Sequence, residues 1–440
     1  MESNKQDIVN DQYENYPYPG RNPEDEKKRL SFTSLDDLEV INSLGFKGKL
    51  DFDNISVLVA GGGTGDAVIY IAEQLRNCPG ARIIYCDLSS ASMKIAKERA
   101  EVRGLDNITW MNQSFLELDE YLGRFDYINS SGVIHHLEDP EGALKYLKKL
   151  LKPNGGVMGI MVYAQIGRTA VYQIQEIVRL ISDDSDDLVD KIQITKDVIN
   201  NAPSTNWWKH CSSFIDDFNS GWDTDIVDMF LHAQDRAYTI PELYEFIENC
   251  EMILVDFSMP YRYELTPEAC GMDEKIIQIL KGKSVKEQQA IVELYSGKLM
   301  KHTFFLSNKN NTNAKITDNS NIPFLHNADL NVKQLADAID QNKYSNVAFT
   351  LGKKYKTNFD VGKYTTEIIR NIDGNKTVGE IFAAVSQKFG GKVKREEFDR
   401  DFKRFYKSLN QYDLLLLRNK KCKKMLLRDR LHDHVLSMYR

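Results

Sequence analysis

The chain has 440 residues and a net charge of −7 at pH 7, with 42% hydrophobic and 28% charged residues. No apolar run reaches the roughly 20 residues of a membrane span, which excludes insertion into a membrane, and the negative charge gives no overall attraction to nucleic acid. At roughly 100 to 200 residues per domain, we expect two or three globular domains.

The N-terminal segment is polar and lacks the apolar stretch of a secretory signal, so we expect a cytoplasmic protein. The six cysteines show no C-x-x-C spacing, which predicts reduced thiols and neither a disulfide framework nor a zinc site. His432 and His434 form an H-x-H pair, and we interpret them as solvated side chains and not as metal ligands.

From residue 55 onward, short β-branched apolar runs alternate with helical periods, which is typical of a parallel sheet with crossover helices. The alternation stops near residue 165, where a mostly helical region begins, and resumes near residue 240. The sequence therefore predicts an α/β, Rossmann-like sheet of seven strands that is interrupted by a helical insertion. The predicted strands are 55–60, 82–87, 107–112, 125–130, 156–163, 252–258 and 302–307.

The same changes of pattern divide the chain into units. They are an N-terminal arm over the ligand site (1–50), a ligand-binding core (51–164), the helical insertion (165–240), the completion of the core sheet (241–307), a linker (308–321) and a C-terminal module (322–440). The linker is rich in Asn and nearly free of large apolar residues. The module shows two amphipathic helices and then a strand, which predicts a winged-helix-like α+β fold. Acidic residues interrupt its basic ones, so we favour packing or dimerisation over DNA binding.

The segment VLVAGGGTG, residues 57–65, takes the chain from a strand through a glycine-rich turn into a helix. Such a turn presents free N–H groups and the positive end of a helix to a ligand. The dinucleotide pattern G-x-G-x-x-G/A would need a small residue where Asp66 stands, and this acid would repel a pyrophosphate. Asp87 ends the second strand, about 20 residues beyond Gly65, where an acid binds ribose hydroxyls. We expect a nucleoside ligand without phosphate and with a positive charge.

Five segments in order resemble the motifs of the class I S-adenosylmethionine-dependent methyltransferases: VLVAGGGTG, YCDLS, ITWMNQS, FDYINSSGVIHHLEDP and LKPNGGVMGIMVY. The resemblance covers roughly residues 50–165 and, more loosely, the strands up to residue 307. It implies that residues 51–164 bind S-adenosylmethionine.

The resemblance also implies roles for individual residues. Gly61, Gly63 and Gly65 would let the methionine part approach, Asp87 would hold the ribose, Gln113 and Ser114 would lie beside the adenine, and Ser130 to Gly132 would line the floor near the sulfonium. Leu88 would also belong to the cofactor site. Many relatives carry an acid at the position of Ser114, so the adenine contact here could use the backbone alone. His135 and His136 suggest a general base, but we interpret them as packing residues at the start of the next helical turn.

The methyl acceptor would be aligned by residues outside the generic core, since transfer from a sulfonium is an in-line displacement. Tyr13, Tyr16 and Tyr18 lie in the arm, where they could pack in a core, close over the cofactor or form a slot for a long amine. Candidate acceptor-binding residues are Tyr13, Tyr18, Tyr163, Trp208 and Tyr238. The candidate catalytic residues are Tyr16, His232 and Asp235. His232 or Asp235 could take a proton through water, and Asp235 could equally be a helix cap.

Three further segments, YENYPYP, VYAQIGRTAVYQIQEIVRLI and FLHAQDRAYTIPELYEFI, resemble bacterial methyltransferases with a C-terminal regulatory domain, and most of all the rickettsial protein-lysine methyltransferases of outer-membrane proteins. This resemblance implies a lysine acceptor on a protein and an insertion that forms the acceptor site or a homodimer contact. A small-molecule O- or N-methyltransferase and a non-catalytic, cofactor-binding scaffold are the alternatives.

Overall fold

The computed structural model describes residues 5–183, 187–211, 222–266, 271–326, 330–351, 355–423 and 425. Cys270, His432 and His434 lie outside the described residues. The strands are β1 (Ser56–Ala60), β2 (Arg82–Asp87), β3 (Ile108–Asn112), β4 (Tyr127–Ser131), β5 (Val157–Ala164), β6 (Ala237–Tyr238), β7 (Ile253–Phe257), β8 (Lys301–Ser307), β9 (Asn321–Leu325), β10 (Asn346–Leu351), β11 (Tyr355–Asp360) and β12 (Leu415–Asn419).

Helices connect these strands and form most of the insertion. They are α1 (Lys5–Asn15), α2 (Leu38–Gly45), α3 (Asp66–Gln74), α4 (Ser90–Arg103), α5 (Pro140–Leu150), α6 (Thr169–Ile181), α7 (Leu188–Asn201), α8 (Trp207–Cys211), α9 (Asp223–Phe230), α10 (Ile240–Asn249), α11 (Glu274–Leu280), α12 (Val285–Ser296), α13 (Val332–Asn342), α14 (Thr365–Arg370), α15 (Val378–Lys388) and α16 (Arg395–Asn410). Among the described residues, no helix is long and apolar enough to cross a membrane.

The main sheet has the strand order β3-β2-β1-β4-β5-β8-β7. Strands β1 to β5 are parallel, whereas β8 runs antiparallel to both β5 and β7. The seven predicted strands are all present, with bounds that differ by at most two residues, and the Rossmann-like prediction is confirmed. The short strand β6 adds to β5 beyond this path.

Side chains alternate between the two faces of the sheet, as β1 shows. Val57 and Val59 join the cluster that holds α2 and α3, while Leu58 and Ala60 join the cluster under α5 and α10. Both faces are therefore covered by helices, which explains why the strands are continuously apolar in sequence.

The insertion has a small core of its own. Val171 and Ile174 of α6 pack with Ile192 of α7, Trp208 of α8 and Phe230 of α9. The helical character predicted for this region is therefore present, and its helices leave from the carboxyl end of β5.

The segment predicted to be a linker does not have the structure of one. Thr312 Oγ1 donates to the Leu44 carbonyl at 3.0 Å, and the Ala314 N–H donates to the Ser43 carbonyl at 2.7 Å. Thr312, Ala314 and Ile316 are buried. The polar composition serves to satisfy carbonyls at the end of α2, which the helix itself leaves without partners.

The C-terminal module contains the two predicted amphipathic helices, α15 and α16, followed by β12. β12 pairs antiparallel with β9, and β10 and β11 form a hairpin. Phe324 and Leu416 of the β9–β12 pair belong to the same apolar cluster as Leu38 and Val40 around α2. The module thus packs directly on residues that the sequence assigned to the arm. Its winged-helix-like character stays a prediction.

An ion pair buried at this contact gives a testable pH dependence. His326 Nε2 lies 2.7 Å from Asp37 Oδ2. Although burial opposes both shifts, the pair raises the pKa of His326 and lowers that of Asp37. The Asp37 contribution is lost as pH falls through its lowered pKa, below about 3.9, and the His326 contribution is lost as pH rises through its raised pKa, above about 6.5.

We therefore expect the pair to stabilise the fold most between about pH 4 and pH 6.5. In His326→Gln, the free energy of unfolding in urea should be lower in this window, and its decline at higher pH should be weaker. An unchanged pH profile would show that the pair contributes nothing to stability.

Candidate active site

The candidate site lies at the carboxyl ends of β1 and β4, where the strand order reverses. Open parallel sheets bind ligands in the crevice at this point, because the loops on either side leave in opposite directions. The loop after β1 carries Gly61 to Gly65, and the loop after β4 carries Gly132 to His136. The motifs that the sequence analysis selected therefore meet in one place.

The glycine loop requires backbone conformations that other residues avoid. Gly61 has φ of 74° and Gly63 has φ of 50°. A Cβ atom on Gly61 would lie 2.4 Å from Val133 Cγ2, and one on Gly63 would lie 2.7 Å from the Tyr18 carbonyl oxygen. The loop is thus pressed between the β4 loop and the N-terminal arm.

The arm is held on the loop by hydrogen bonds. The Thr64 N–H donates to the Tyr18 carbonyl at 3.2 Å, and Thr64 Oγ1 donates to the Pro19 carbonyl at 2.6 Å. Further along, Ser89 Oγ donates to the Tyr13 carbonyl at 3.1 Å, and Ser90 Oγ donates to the Glu14 carboxylate at 2.9 Å. The arm therefore runs over the ends of both β1 and β2.

Asp66 does not face a ligand, although the sequence analysis expected it to repel a pyrophosphate. Its carboxylate accepts from Arg21 Nε at 3.0 Å and Nη2 at 2.6 Å, and it lies 2.8 Å from Arg99 Nη1. Burial alone would raise the pKa of Asp66, but the two arginines lower it to about 2. The acid fastens the arm to α3 and α4.

Asp87 lies where a carboxylate that binds ribose hydroxyls would lie. Its Oδ2 accepts from the Gly63 N–H and its Oδ1 from the Ser89 N–H, both at 2.8 Å. Burial raises the pKa of Asp87, while these two N–H groups stabilise its charged form. The carboxylate is thereby fixed between the first two motifs, with further lone pairs that can accept from ligand hydroxyls.

The other predicted cofactor residues surround the same crevice. Leu88 is 43% exposed, which gives an apolar surface for a nucleobase. The Gln113 carbonyl accepts from Cys86 Sγ at 3.1 Å, and Ser114 Oγ accepts from the Leu116 N–H at 3.2 Å, so the Ser114 side chain caps a short helix. Ser130 is fully buried and its Oγ makes no hydrogen bond with any described residue, whereas Ser131 is half-buried.

These features fit S-adenosylmethionine. The fixed Asp87 suits two ribose hydroxyls, exposed Leu88 suits the adenine, and the unpaired hydroxyl of Ser130 suits a polar group of the methionine part. We expect Asp87→Ala to weaken binding by about 1.5–3 kcal/mol, the scale of hydrogen bonds to a charged group. Calorimetry with S-adenosylmethionine measures it, with exposed Asp106→Ala as the control. Equal affinity in Asp87→Ala and the native protein would refute the ribose assignment.

A second polar cluster joins the arm to the insertion. Tyr163 donates to Asp228 Oδ2 at 3.0 Å, and Tyr13 donates to Asp228 Oδ1 at 3.3 Å. The Tyr13 hydroxyl also lies 3.1 Å from His232 Nε2. His232 Nδ1 accepts from the Gln234 N–H at 3.1 Å, so its proton is on Nε2 in the neutral ring and is donated to Tyr13. A chain of hydrogen bonds thus leads from His232 through Tyr13 to Asp228.

Burial sets the protonation states of this chain. It raises the pKa of Asp228 to about 6, although the hydrogen bonds from the tyrosines and the charge of Arg168 oppose this. It lowers the pKa of His232 to about 4. It also raises the pKa of Tyr13 and Tyr163 well above the usual range. At neutral pH the site therefore has a charged carboxylate, a neutral imidazole and two protonated phenols.

His135 and His136 are buried beside this cluster. His136 stacks on His232 with ring centroids 3.8 Å apart and bonds through Nδ1 to the Gln234 carbonyl at 2.9 Å. Burial lowers the pKa of both histidines, which keeps them neutral. Their geometry agrees with the packing interpretation.

The catalytic candidate Tyr16 and the acceptor-binding candidates Trp208 and Tyr238 lie elsewhere. Tyr16 packs on the apolar core of the insertion, and Trp208 is buried in that core with its ring centroid 5.2 Å from that of Phe230. Tyr238 is buried under α10 against Phe246. The packing of their rings places these side chains in apolar cores.

Asp235 and Tyr18 take intermediate positions. Asp235 accepts from Gln175 Nε2 at 3.4 Å and lies 4.0 Å from Arg168 Nη2, apart from Asp228. Tyr18 lies close enough to Tyr13 and Tyr163 to raise the pKa of both.

Asp228 itself was missed by the sequence analysis. An acid directly after the buried pair Ile226 and Val227 was the signal that could have found it, since a buried acid needs partners.

Residues 58–157 match the family model described as a methyltransferase domain. An uncharacterized protein of Synechococcus is 29% identical over 252 residues, which are 57% of this chain and 59% of that protein. The tRNA 5-carboxymethoxyuridine methyltransferase of Escherichia coli is 34% identical over 111 residues, 25% of this chain and 40% of that enzyme. The chain thus matches less than two thirds of the length of these curated relatives.

The structure of PKMT2 from Rickettsia typhi in complex with AdoHcy superposes with a TM-score of 0.61 at 16% identity, covering 89% of this chain and 77% of that one. The fold is therefore shared with this protein. Residues 58–157 thus form a methyltransferase domain by the family match, and the fold around them is the one that PKMT2 has.

Proposed function

We propose that the chain transfers the methyl group of S-adenosylmethionine to an amine nitrogen, and that the acceptor is a lysine side chain of a protein. The observation that carries this is the charged carboxylate of Asp228, buried between the hydroxyls of Tyr13 and Tyr163. Aromatic walls with an anion at one end suit a cation on a long apolar stem. Lysine has this form.

The residues around the crevice would hold the cofactor, with Asp87 at the ribose, Leu88 at the adenine and Ser130 near the methionine part. S-adenosylmethionine supplies an electrophilic methyl group on its sulfonium sulfur. The chain's own task is to bring the amine into line with that methyl group and to exclude water, and the arm that covers the glycine loop serves this exclusion.

A lysine amine has a reference pKa of about 10.4 and must lose a proton before it attacks. Burial among aromatic rings lowers the amine's pKa. We infer that Asp228 first orients the ammonium group and then accepts its proton, since its own pKa of about 6 leaves it charged at neutral pH. The Tyr13 and Tyr163 hydroxyls hold Asp228 in place by donating to its two oxygens.

The experiment uses the full chain, labelled S-adenosylmethionine and an unfolded outer-membrane protein fragment that contains lysines. The control substrate is the same fragment with every lysine replaced by arginine. Label should appear on the lysine fragment alone, and mass spectrometry should place it on lysine nitrogen. Transfer to both fragments, or to neither while a small molecule of a cell lysate is labelled, would overturn the lysine proposal.

A further inference from the structure

Arg168 is a buried arginine whose hydrogen-bonding capacity the described part of the chain uses only in part. It precedes α6 and is 3% exposed. Its Nε and Nη2 make no hydrogen bond with any residue in the described ranges. A guanidinium group removed from water without partners costs free energy, so its unpaired donors call for a partner from outside the chain, such as a ligand, an ion or water.

Asp235 is the acid nearest to Arg168, yet it does not satisfy the guanidinium. Its Oδ2 is 4.0 Å from Arg168 Nη2, beyond hydrogen-bond distance, and accepts instead from Gln175 Nε2 at 3.4 Å. A structural ion pair would be closer and bidentate, because the arginine fork and a carboxylate match in shape. Asp235 therefore leaves Arg168 Nη2 without a close carboxylate partner.

Two other polar side chains, His135 and Tyr172, lie near Arg168. His135 is fully buried and interacts with the Met161 backbone. Tyr172 is partly buried, its ring centroid is 5.8 Å from Arg168 Cζ, and its hydroxyl interacts with the guanidinium. Arg168 Nε and Nη2 are thus the donors of this region that an oxygen-bearing ligand could bind.

This region adjoins the Asp228 cluster through a shared ring. Arg168 Cζ lies 3.5 Å from the centroid of the Tyr163 ring, and His135 packs on that ring at 4.1 Å. The hydroxyl of the same tyrosine donates to Asp228. A cationic group therefore lies over the face of the Tyr163 ring and an anionic group lies at its hydroxyl.

We infer that Arg168 is a second recognition point of the acceptor site and binds a carboxylate of the methyl acceptor. The fork geometry suits a planar carboxylate, and the nearby Asp228 and Asp235 disfavour a doubly charged phosphate. This inference rests on the proposed function in one respect: the amine at Asp228 and the carboxylate at Arg168 belong to one acceptor. The carboxylate can come from an acidic residue beside the lysine or from a free amino acid.

The test measures binding, so that it does not depend on methyl transfer. Three probes are titrated calorimetrically into the full chain with S-adenosylhomocysteine present: a lysine peptide with a glutamate beside the lysine, its glutamine counterpart, and free lysine. We expect the glutamate peptide, free lysine, or both to bind at least about tenfold more tightly to the native protein than to Arg168→Gln, and the glutamine peptide to bind both proteins alike. Tighter binding of the glutamate peptide indicates that the carboxylate comes from a protein, and tighter binding of free lysine indicates that it comes from a small molecule.

Arg179→Gln, which changes an exposed arginine of α6, is the matched control and should keep the native preference. Arg168→Lys keeps the charge but loses the fork, and it should show a reduced preference even if Arg168→Gln does not fold. Equal binding of all probes to native and Arg168 variants would overturn the carboxylate site. If the native protein shows the carboxylate preference but transfers no methyl group to lysine, the amine proposal alone would be overturned.

Discussion

Replacing Asp228 by asparagine should lower kcat for methyl transfer to lysine at least about 100-fold, the usual minimum for loss of a proton-accepting group. Asparagine has nearly the same size, but it has no charge to hold an ammonium group and cannot take its proton. The affinity for S-adenosylmethionine should change little, because Asp228 contacts the arm and β5 and not the glycine loop. Stopped reactions with labelled cofactor and calorimetry measure the two quantities.

The pH dependence separates this role from a structural one. Burial raises the pKa of Asp228 to about 6, so its charged form is lost as pH falls through that value. The native kcat/KM should therefore rise between about pH 5 and pH 7, and Asp228→Asn should lack this limb. Asp223→Asn, on the exposed side of α9, should behave like the native protein. Full activity of Asp228→Asn with normal folding would contradict the assignment.

Replacing Arg99 by methionine should lower the free energy of unfolding by about 3 kcal/mol, since it removes one partner from a buried ionic network. Arg99 is 1% exposed, pairs with Glu26 at 2.6 Å and Asp66 at 2.8 Å, and donates to the Thr64 carbonyl at 2.7 Å. The value is at the low end for such changes, because Arg103 still pairs with Glu26 and Arg21 with Asp66.

Because the same network fastens the arm and the glycine loop to α4, Arg99→Met should also weaken S-adenosylmethionine binding. Urea unfolding gives the stability, and calorimetry at a temperature where the variant is folded gives the affinity. Lys94→Met, an exposed change on the same helix, is the control. If both variants unfold at the same urea concentration, the network does not stabilise the fold.

The sequence alone determined the sheet and the kind of cofactor site. Strand positions follow from short apolar runs and helix starts from local signals, such as Pro140 in the first turn of α5 and Pro241 in the first turn of α10. The glycine loop and Asp87 are also local, since each lies at the end of a strand whose position was predicted. Nothing in these inferences needs knowledge of distant contacts.

Only the tertiary structure decided which charges meet. Asp66 looked like a ligand-facing acid, but Arg21 and Arg99 come to it from the arm and from α4. The Asn-rich segment looked like a linker, but the end of α2 offers carbonyls that its side chains and N–H groups satisfy.

The acceptor site shows the physical reason most clearly. Tyr13 and Asp228 are 215 residues apart in sequence, and their hydrogen bond exists only because the arm and the insertion converge over the end of β5. Local pattern reveals whether a residue is apolar or polar, and so where a strand or helix forms. The pKa of a carboxylate and the surroundings of Arg168 depend on burial and on partners from elsewhere in the chain, and the fold alone brings those together.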